Sequence, residues 1–419
     1  MIRRVLFLLL AGLTVAGLVA AQQDAGDRQS SLEERVQALE AAQEGVPGHT
    51  FLLTGYMNAL YTNPEEGDPF FSTLFAPIFL YKSGDRFLFE AELEFEFEGE
   101  NTEVQVEYSQ LDYMFDGATL VAGKFLLPMG IFGERVHPAW INKLPIPPPI
   151  YAGHGSSVGL IPVMSDFGVM LRGGFPAAGL RWNWAAFVVN GPRVATEEGG
   201  DEHAEEEAGG HGGGGAVNYA GTPGDENADK ALGFRVGVLP FSGLEIGLSY
   251  YRGEVSFDEF EGATTEPGPE SEAIVTLTMV DVMWSVGALQ IIGEYILEDT
   301  SELKEFVVGH TEDDPDTLMD DETATEEGHA PDDRSGYWLQ AAYMLSGIFP
   351  EVVVRYGATQ SEGEQVSTQS SIGLNWWIES SLVVKLAGVS NSIEVEDHDT
   401  GATETVDTTD YYVALAFGF

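Results

Sequence analysis

Apolar and acidic residues alternate most regularly between residues 86 and 98, in the stretch Arg-Phe-Leu-Phe-Glu-Ala-Glu-Leu-Glu-Phe-Glu-Phe-Glu. Apolar side chains occupy the odd positions, and five glutamates share the other parity: Glu90, Glu92, Glu94, Glu96 and Glu98. A period of two residues places the two sets on opposite faces of a β-strand. A soluble sheet would bury the apolar face, whereas a membrane barrel would turn it to lipid and the glutamates to a wet lumen. This stretch alone leaves both folds open.

Segments of strand length with similar alternation recur from residue 50 to the C-terminus. Most are about 9–13 residues long, the length that a tilted strand needs to cross a bilayer. The pattern predicts sixteen strands, at 50–61, 72–82, 86–98, 102–115, 118–126, 165–172, 180–190, 231–239, 244–252, 272–285, 289–298, 336–345, 351–360, 366–376, 381–392 and 408–419.

Short turns alternate with long connections along the chain. The long connections are 62–71, 127–164, 191–230, 253–271, 299–335 and 393–407, and 173–179 is among the short turns. Short turns at one end and long loops at the other are typical of outer-membrane barrels. In the strand at 102–115 the apolar parity switches, which predicts a β-bulge near Ser109. The parity of Asp281 in the strand at 272–285 is undecided.

The two ends of the chain favour the barrel over the soluble sheet. Residues 1–21 contain Arg3 and Arg4, an apolar run and two alanines, the pattern of a secretory signal peptide, with an uncleaved anchor as the alternative. No later stretch is apolar for the ~20 residues of a spanning helix, so strands must cross any membrane. The last strand ends at Phe419 and resembles the assembly signal of bacterial outer-membrane β-barrels. The resemblance implies recognition by the barrel assembly machinery.

Residues 22–49 are polar, with Leu32, Val36 and Leu39 at coiled-coil spacing. They predict a short periplasmic helix, either frayed or paired in a coiled coil, and similar segments precede the barrel in some trimeric porins. The predicted fold is thus an all-β, 16-stranded antiparallel transmembrane β-barrel. Its parts are a signal peptide at 1–21, a helical segment at 22–49 and the barrel at 50–419.

Acidic residues outnumber basic ones by 68 to 19, for a net charge of −49. This charge disfavours nucleic acid and anionic substrates as partners and favours cations. Acidity that merely solubilises the exterior is the alternative.

The connection at 127–164 differs from the other long loops because it is apolar, basic and rich in proline. Such a segment is expected to fold against something rather than extend into water. Residues 123–132 resemble phosphate-selective-type porins, and the loop resembles the third loop of general porins, which folds into the barrel and narrows it. Capping the mouth and packing between subunits are the alternatives. The candidate constriction residues are Phe132, Arg135, His137, Trp140 and Lys143.

Strand parity places the five glutamates and five basic residues in the lumen, on opposed walls. Phosphate specificity does not carry over from the resemblance, because phosphate sites need clustered arginine and lysine. The dominance of acids predicts weak cation preference. The basic residues are Arg172, Arg181, Arg235, Arg355 and Lys385.

The connection at 191–230 carries a candidate metal site of low affinity, at His203, Glu205, Glu206 and His211. Imidazoles and carboxylates suit Zn²⁺, but the spacing matches no closed site, and a solvated loop is the alternative. No cofactor is expected beyond weakly bound divalent cations.

The resulting functional prediction is an outer-membrane porin of a Gram-negative cell, homotrimeric and surrounded by lipid, through which small hydrophilic solutes diffuse passively. A channel specific for sugars or divalent cations is one alternative, and a surface barrel for metal capture or adhesion is another. An enzyme is not expected, because the sequence has no nucleophile elbow, phosphate-binding glycine loop or His-x-x-x-His helix.

Overall fold

The computed structural model describes residues 48–65, 67–98, 101–151, 160–194, 217–219, 221, 229–256, 272–300, 306–309, 325–328, 333–345, 350–361, 366–397 and 402–419. The chain divides into two compact units. One is Met1–Phe51 with Lys82–Asp85, in which the Gly84 amide donates a hydrogen bond of 2.5 Å to the Gly48 carbonyl. The predicted signal peptide and almost all of the predicted helix at 22–49 lie outside the described residues. The second unit, Leu52–Tyr81 with Arg86–Phe419, contains nearly all of the sheet.

Sixteen antiparallel strands close into a barrel, each hydrogen-bonded to the next in chain order and the last to the first. The predicted strand count and fold class are thereby confirmed. The strands are β1 His49–Asn63, β2 Phe70–Ser83, β3 Phe87–Glu98, β4 Asn101–Met114, β5 Ala118–Leu126, β6 Ser165–Ala177, β7 Leu180–Val189, β8 Ala231–Phe241, β9 Leu244–Ser256, β10 Glu272–Val286, β11 Leu289–Thr300, β12 Arg334–Met344, β13 Glu351–Ser361, β14 Val366–Glu379, β15 Leu382–Asp397 and β16 Ala402–Gly418.

The C-terminal residue takes part in closing the barrel. Strands β1 and β16 pair from Tyr56 opposite Gly418 to Asn63 opposite Tyr411. Beyond the last strand residue, the Phe419 amide donates to the Gly55 carbonyl at 3.0 Å, and the Gly55 amide donates to the Phe419 carbonyl at 3.1 Å. The ladder therefore extends to the last residue, and no free edge is left at this seam.

The apolar side chains of the sheet lie on its exposed outer face and many polar ones on its buried inner face, the reverse of a soluble protein. On β14, Ile372, Leu374 and Trp376 are exposed on the outer face, while Gly373 and Asn375 between them are buried on the inner face. Ile372 is 59% exposed and Asn375 only 1%. Exposed apolar and buried polar side chains are expected of a barrel whose outside contacts lipid. The soluble-sheet alternative is therefore excluded.

The turn between β6 and β7 is shorter than predicted. The sequence predicts a turn over 173–179, but the strand β6 continues to Ala177. The turn itself is formed by Ala178 and Gly179, which have φ angles of 53° and 76°. A Cβ at Gly173 would lie 2.7 Å from the Gly117 carbonyl oxygen and 3.3 Å from the Trp184 ring, so a backbone carbonyl and an indole occupy the space that a larger side chain would need.

The predicted irregularity in β4 is confirmed as a β-bulge, located two residues before Ser109. Glu92 pairs with Tyr108 and the next residue, Leu93, pairs with Val106, so Glu107 is the extra residue. The bulge resets the parity of β4 and buries the Glu107 side chain on the inner face. The strand β10 has no bulge, and the parity of Asp281 is resolved because its side chain is buried on the inner face and accepts a hydrogen bond from Arg235.

Two small hairpins lie in the long connections and were not predicted. One pairs Arg193–Val194 with Val217–Asn218, and the other pairs Phe306–Gly309 with Thr325–Gly328. A single five-residue π-helix, Phe132–Val136, occurs within the described ranges. Among these residues no helix has the length and hydropathy needed to cross a bilayer.

Candidate pore and inward loop

The described parts of the loop at 127–164 pack against the inner wall of the barrel. Phe132, Ile150 and Tyr151 from the loop form one buried apolar cluster with Ile296 and Trp338 from the wall. The Phe132 ring centre lies 4.7 Å from that of Tyr151 and 6.2 Å from that of Trp338. The loop's apolar residues, which would be unfavourable in water, thus form a core inside the barrel.

A single carboxylate on β11 anchors the start of the loop. Glu294 accepts hydrogen bonds from the backbone amides of Ile131 at 2.5 Å and Phe132 at 2.8 Å. It also accepts bonds of 2.8 Å from the Tyr151 hydroxyl and the Trp338 indole. Four donors compensate the removal of this charge from water, so the carboxylate orients both the π-helix and the tyrosine.

Two of the predicted pore-lining cations instead hold the middle of the loop. Arg355 on β13 donates to the carbonyls of Ile146 at 3.2 Å and Pro147 at 2.7 Å. Lys385 on β15 donates to the carbonyls of Ala139 at 2.6 Å and Asn142. Both side chains point inward, as parity predicted, but the loop covers them. Their predicted role as charges on an opposed wall of the lumen stays a prediction, and in the structure both side chains bind the loop backbone.

A salt bridge to β13 and a hydrogen bond from β14 hold the same part of the loop. Lys143 of the loop pairs with Glu351 at 2.9 Å, and Asn375 donates to the Lys143 carbonyl at 2.8 Å. The side-chain ammonium and the backbone carbonyl of Lys143 are therefore both bonded to the barrel wall, which fixes the position of this predicted constriction residue.

A row of inward-facing glycines makes room for the loop. At each of these glycines a Cβ would lie 2.5–2.8 Å from a loop side chain, so only glycine permits the observed approach. The pairs are Gly336 with Ile150, Gly357 with Pro149, Gly373 with Leu144 and Gly418 with Trp140. This row was not predicted, although its signal is present in the sequence as glycine at inward parity on four strands.

The remaining basic residues are mostly neutralised by carboxylates on neighbouring strands. Arg235 lies 2.7 Å from Asp281 and 3.1 Å from Glu245, and is buried. Glu245 also accepts a bond of 2.8 Å from Arg135 of the loop.

Arg172 pairs with Asp112 at 2.8 Å, on β4 beside the glutamate strand, and Arg181 is exposed at the start of β7. Of the five basic residues assigned to the lumen, two are thus ion-paired, two are covered by the loop and one is exposed, and their role in an opposed wall of charge stays a prediction.

The glutamates of β3 lie on the inner face. Glu94 accepts bonds from the Tyr56 hydroxyl at 2.7 Å and the Gln105 amide at 3.0 Å, and Glu92 is 2% exposed. Glu90 and Glu96 share this parity and are half-buried. The Glu98 side chain lies outside what the structure describes.

His137 of the loop lies beside this glutamate row. One ligand atom each of Glu92, Glu94 and His137 lies within 4.8 Å of the other two. The Gly133 carbonyl, 2.5 Å from His137 Nδ1, can only accept, so Nδ1 carries the proton and Nε2 presents its lone pair. Burial lowers the pKa of His137 to about 4, so the ring is neutral at pH 7. Sequence reasoning named all three residues but gave no reason to bring them together.

The other candidate metal ligands, His203, Glu205, Glu206 and His211, lie outside the described residues. Their predicted role therefore stays a prediction.

No family model and no curated protein sequence matches this chain. The fold is shared with solved structures of outer-membrane proteins. The outer membrane channel DcaP of Acinetobacter baumannii superimposes with a TM-score of 0.52 at 10% identity, covering 89% of this chain and 98% of that chain. A loop-deletion mutant of OmpT, an outer membrane protein of Vibrio cholerae, gives 0.51 at 11% identity, covering 89% and 100%. At such low identity the shared feature is the fold alone, a closed β-barrel of the outer membrane.

Proposed function

We propose that the protein is a porin that admits small hydrophilic solutes by passive diffusion. The observation that carries the proposal is the closed barrel whose outer face is apolar and whose inner face, beside the apolar core of the loop, carries many polar and charged side chains, an arrangement typical of barrels that hold a water-filled channel. The general channel role and the outer-membrane setting agree with the structural neighbours.

We further propose that the loop at 127–164 narrows the channel. Its π-helix is bonded to Glu294 on β11, while His137, one residue beyond the helix, lies beside Glu92 on β3. These strands are eight apart in a closed barrel of sixteen, so they lie on opposite sides. A segment that reaches both sides takes up space across the lumen, which supports a constriction at this level.

The proposed weak cation preference rests on a difference between the basic and the acidic side chains of the inner face in how their charges are compensated. Arg172 and Arg235 are ion-paired. By contrast, Glu94 accepts its two bonds from neutral donors, a tyrosine hydroxyl and an amide. The negative charge of β3 therefore contributes more to the lumen potential than the positive charge does, which favours entry of cations.

Conductance across a planar bilayer tests the channel. We expect ohmic openings with the purified barrel, and a reversal potential in a salt gradient that favours cations. Removal of 132–150 should enlarge the conductance, because the deleted side chains no longer occupy the lumen. A barrel that inserts but never conducts, before and after this deletion, would contradict the porin proposal and favour a surface role.

Homotrimer formation and delivery by the barrel assembly machinery are part of the same proposal. The outer face carries an apolar depression along β5–β9, lined by Leu120, Val169, Leu171, Phe234 and Tyr250, which suits a subunit or a lipid chain. The mass of the detergent-solubilised protein tests the trimer, and a monomer under all mild detergents would refute it.

Among the alternatives, a channel for divalent cations has a specific observation in its favour. That observation is the approach of His137 to Glu92 and Glu94.

A further inference from the structure

We propose that Glu92, Glu94 and His137 form a binding site for one divalent transition-metal ion, of which Zn²⁺ is the representative, inside the barrel. The ion would link the wall at β3 to the inward loop. This inference goes beyond the proposed porin function, because a barrel that does not conduct can still bind the ion.

The three ligand atoms are close enough together to bind one first-row metal ion after small side-chain rotations. The three ligand atoms lie within 4.8 Å of one another. Zn²⁺ binds imidazole nitrogen and carboxylate oxygen at about 2.0–2.2 Å, so two ligand atoms of a tetrahedral site are about 3.4 Å apart. Rotations of the side chains that move each ligand atom inward by up to about 0.8 Å complete the site.

Unsatisfied polar atoms give an independent sign that a ligand is needed. Within the described ranges, Glu92 Oε1 and His137 Nε2 are buried and have no hydrogen-bond partner. Glu92 is only 2% exposed, so the unpartnered carboxylate oxygen is not left to bulk water. A buried acceptor without a donor is unfavourable, and a cation satisfies both atoms at once.

The surroundings already orient two of the three ligands. The Gly133 carbonyl fixes the His137 tautomer that offers Nε2, and the Tyr56 hydroxyl bonds Glu94 at 2.7 Å. Glu107 places a further unpartnered oxygen, Oε1, on the same side of the barrel. The nearby ammonium of Lys124 is bonded to the Val106 carbonyl at 2.7 Å.

The ligand set defines the class of ion. An imidazole with two carboxylates suits Zn²⁺ and its first-row neighbours, whereas Mg²⁺ and Ca²⁺ prefer oxygen ligands alone. Three protein ligands leave a coordination position for water or a solute, as in open zinc sites.

The test uses full-length barrel in detergent, stripped with a chelator and titrated with Zn²⁺ by calorimetry. We expect one ion per chain. His137→Gln should weaken binding at least about tenfold, since loss of an outer-shell contact alone typically costs 10–100-fold. Glu92→Gln should act in the same direction. The control is Tyr295→Phe, exposed on the outer face, which should leave the affinity within about twofold. His203→Gln separates this site from the candidate metal site in the connection at 191–230.

Heat-modifiable mobility on gels verifies that each variant is folded. A second measurement needs no variant: X-ray absorption at the zinc edge of the loaded wild-type protein should show one imidazole and a shell of oxygen ligands. Two or more imidazoles, or binding that survives His137→Gln and is lost in His203→Gln, would assign the ion to the surface loop and overturn the proposal. Absence of stoichiometric binding would overturn it as well.

Discussion

Glu294 on strand β11 accepts a hydrogen bond of 2.8 Å from the backbone amide of Phe132, 162 residues earlier in the chain. The Ile131 amide, the Tyr151 hydroxyl and the Trp338 indole donate to the same carboxylate. One buried side chain of the wall thus fixes both the beginning of the inward loop and the tyrosine near its middle. The position of the loop is therefore set by the wall.

Glu294→Ala should release the loop. Four donors would lose their acceptor, and each buried donor left unpaired costs about 1–3 kcal/mol. We expect larger and noisier conductance in a planar bilayer and a lower temperature of heat modification on gels. Tyr295→Phe is the control, because Tyr295 is exposed on the outer face and should leave conductance unchanged. Equal conductance of Glu294→Ala and wild type would contradict the anchoring role.

Gly373→Ala should displace the loop from the wall. A Cβ at Gly373 would lie 2.5 Å from Leu144 Cδ2, so the leucine must move, and overpacking of this kind costs about 1–3 kcal/mol. The matched control is Gly388→Ala, where the added atom would meet Tyr411 at an ordinary 3.6 Å. Thermal stability of the folded barrel and its conductance should change in the first variant only. If both variants behave alike, the glycine row has no role in seating the loop.

Glu90→Gln with Glu96→Gln should reduce cation preference and leave the proposed metal ligands intact. Glu90 lies one alternate position, about 7 Å, from Glu92, and Glu96 lies as far from Glu94. This distance is within the Debye length of about 8 Å at physiological salt, so the field of each adds to that of its neighbour. We expect the reversal potential in a salt gradient to shift toward anions, with a shift that shrinks as salt concentration rises. An unchanged potential at low salt would mean that these glutamates do not border the conducting path.

Deletion of Phe419 should impair assembly. The residue forms two backbone hydrogen bonds with Gly55 and accepts a third from the Thr54 hydroxyl, so its loss removes the end of the closing seam. We expect less heat-modifiable protein in outer-membrane fractions. Phe419→Tyr keeps the backbone and the ring and serves as the control. Normal insertion of the truncated chain would count against this role.

The sequence by itself determined the sixteen strands and the two faces of the sheet. A period of two residues is a local property, and each strand displays it without reference to its neighbours. The bulge in β4 could be predicted for the same reason, since a change of parity is visible in one segment. The local pattern wrongly predicted a turn at 173–179, where the strand β6 continues through Gly173. The Trp184 ring of the neighbouring strand packs over this glycine, a contact that the sequence of β6 alone does not contain.

Only the tertiary structure decided what the inward residues do. Lys385 and Arg355 were assigned to the lumen by parity, but their partners are backbone carbonyls of the loop, more than two hundred residues away in sequence. His137 and Glu92 likewise come together through the path of the loop across the barrel. Alternation tells which face a side chain occupies. It carries no information about what a distant segment brings to that face, because closure of the barrel and the fold of the loop set those contacts.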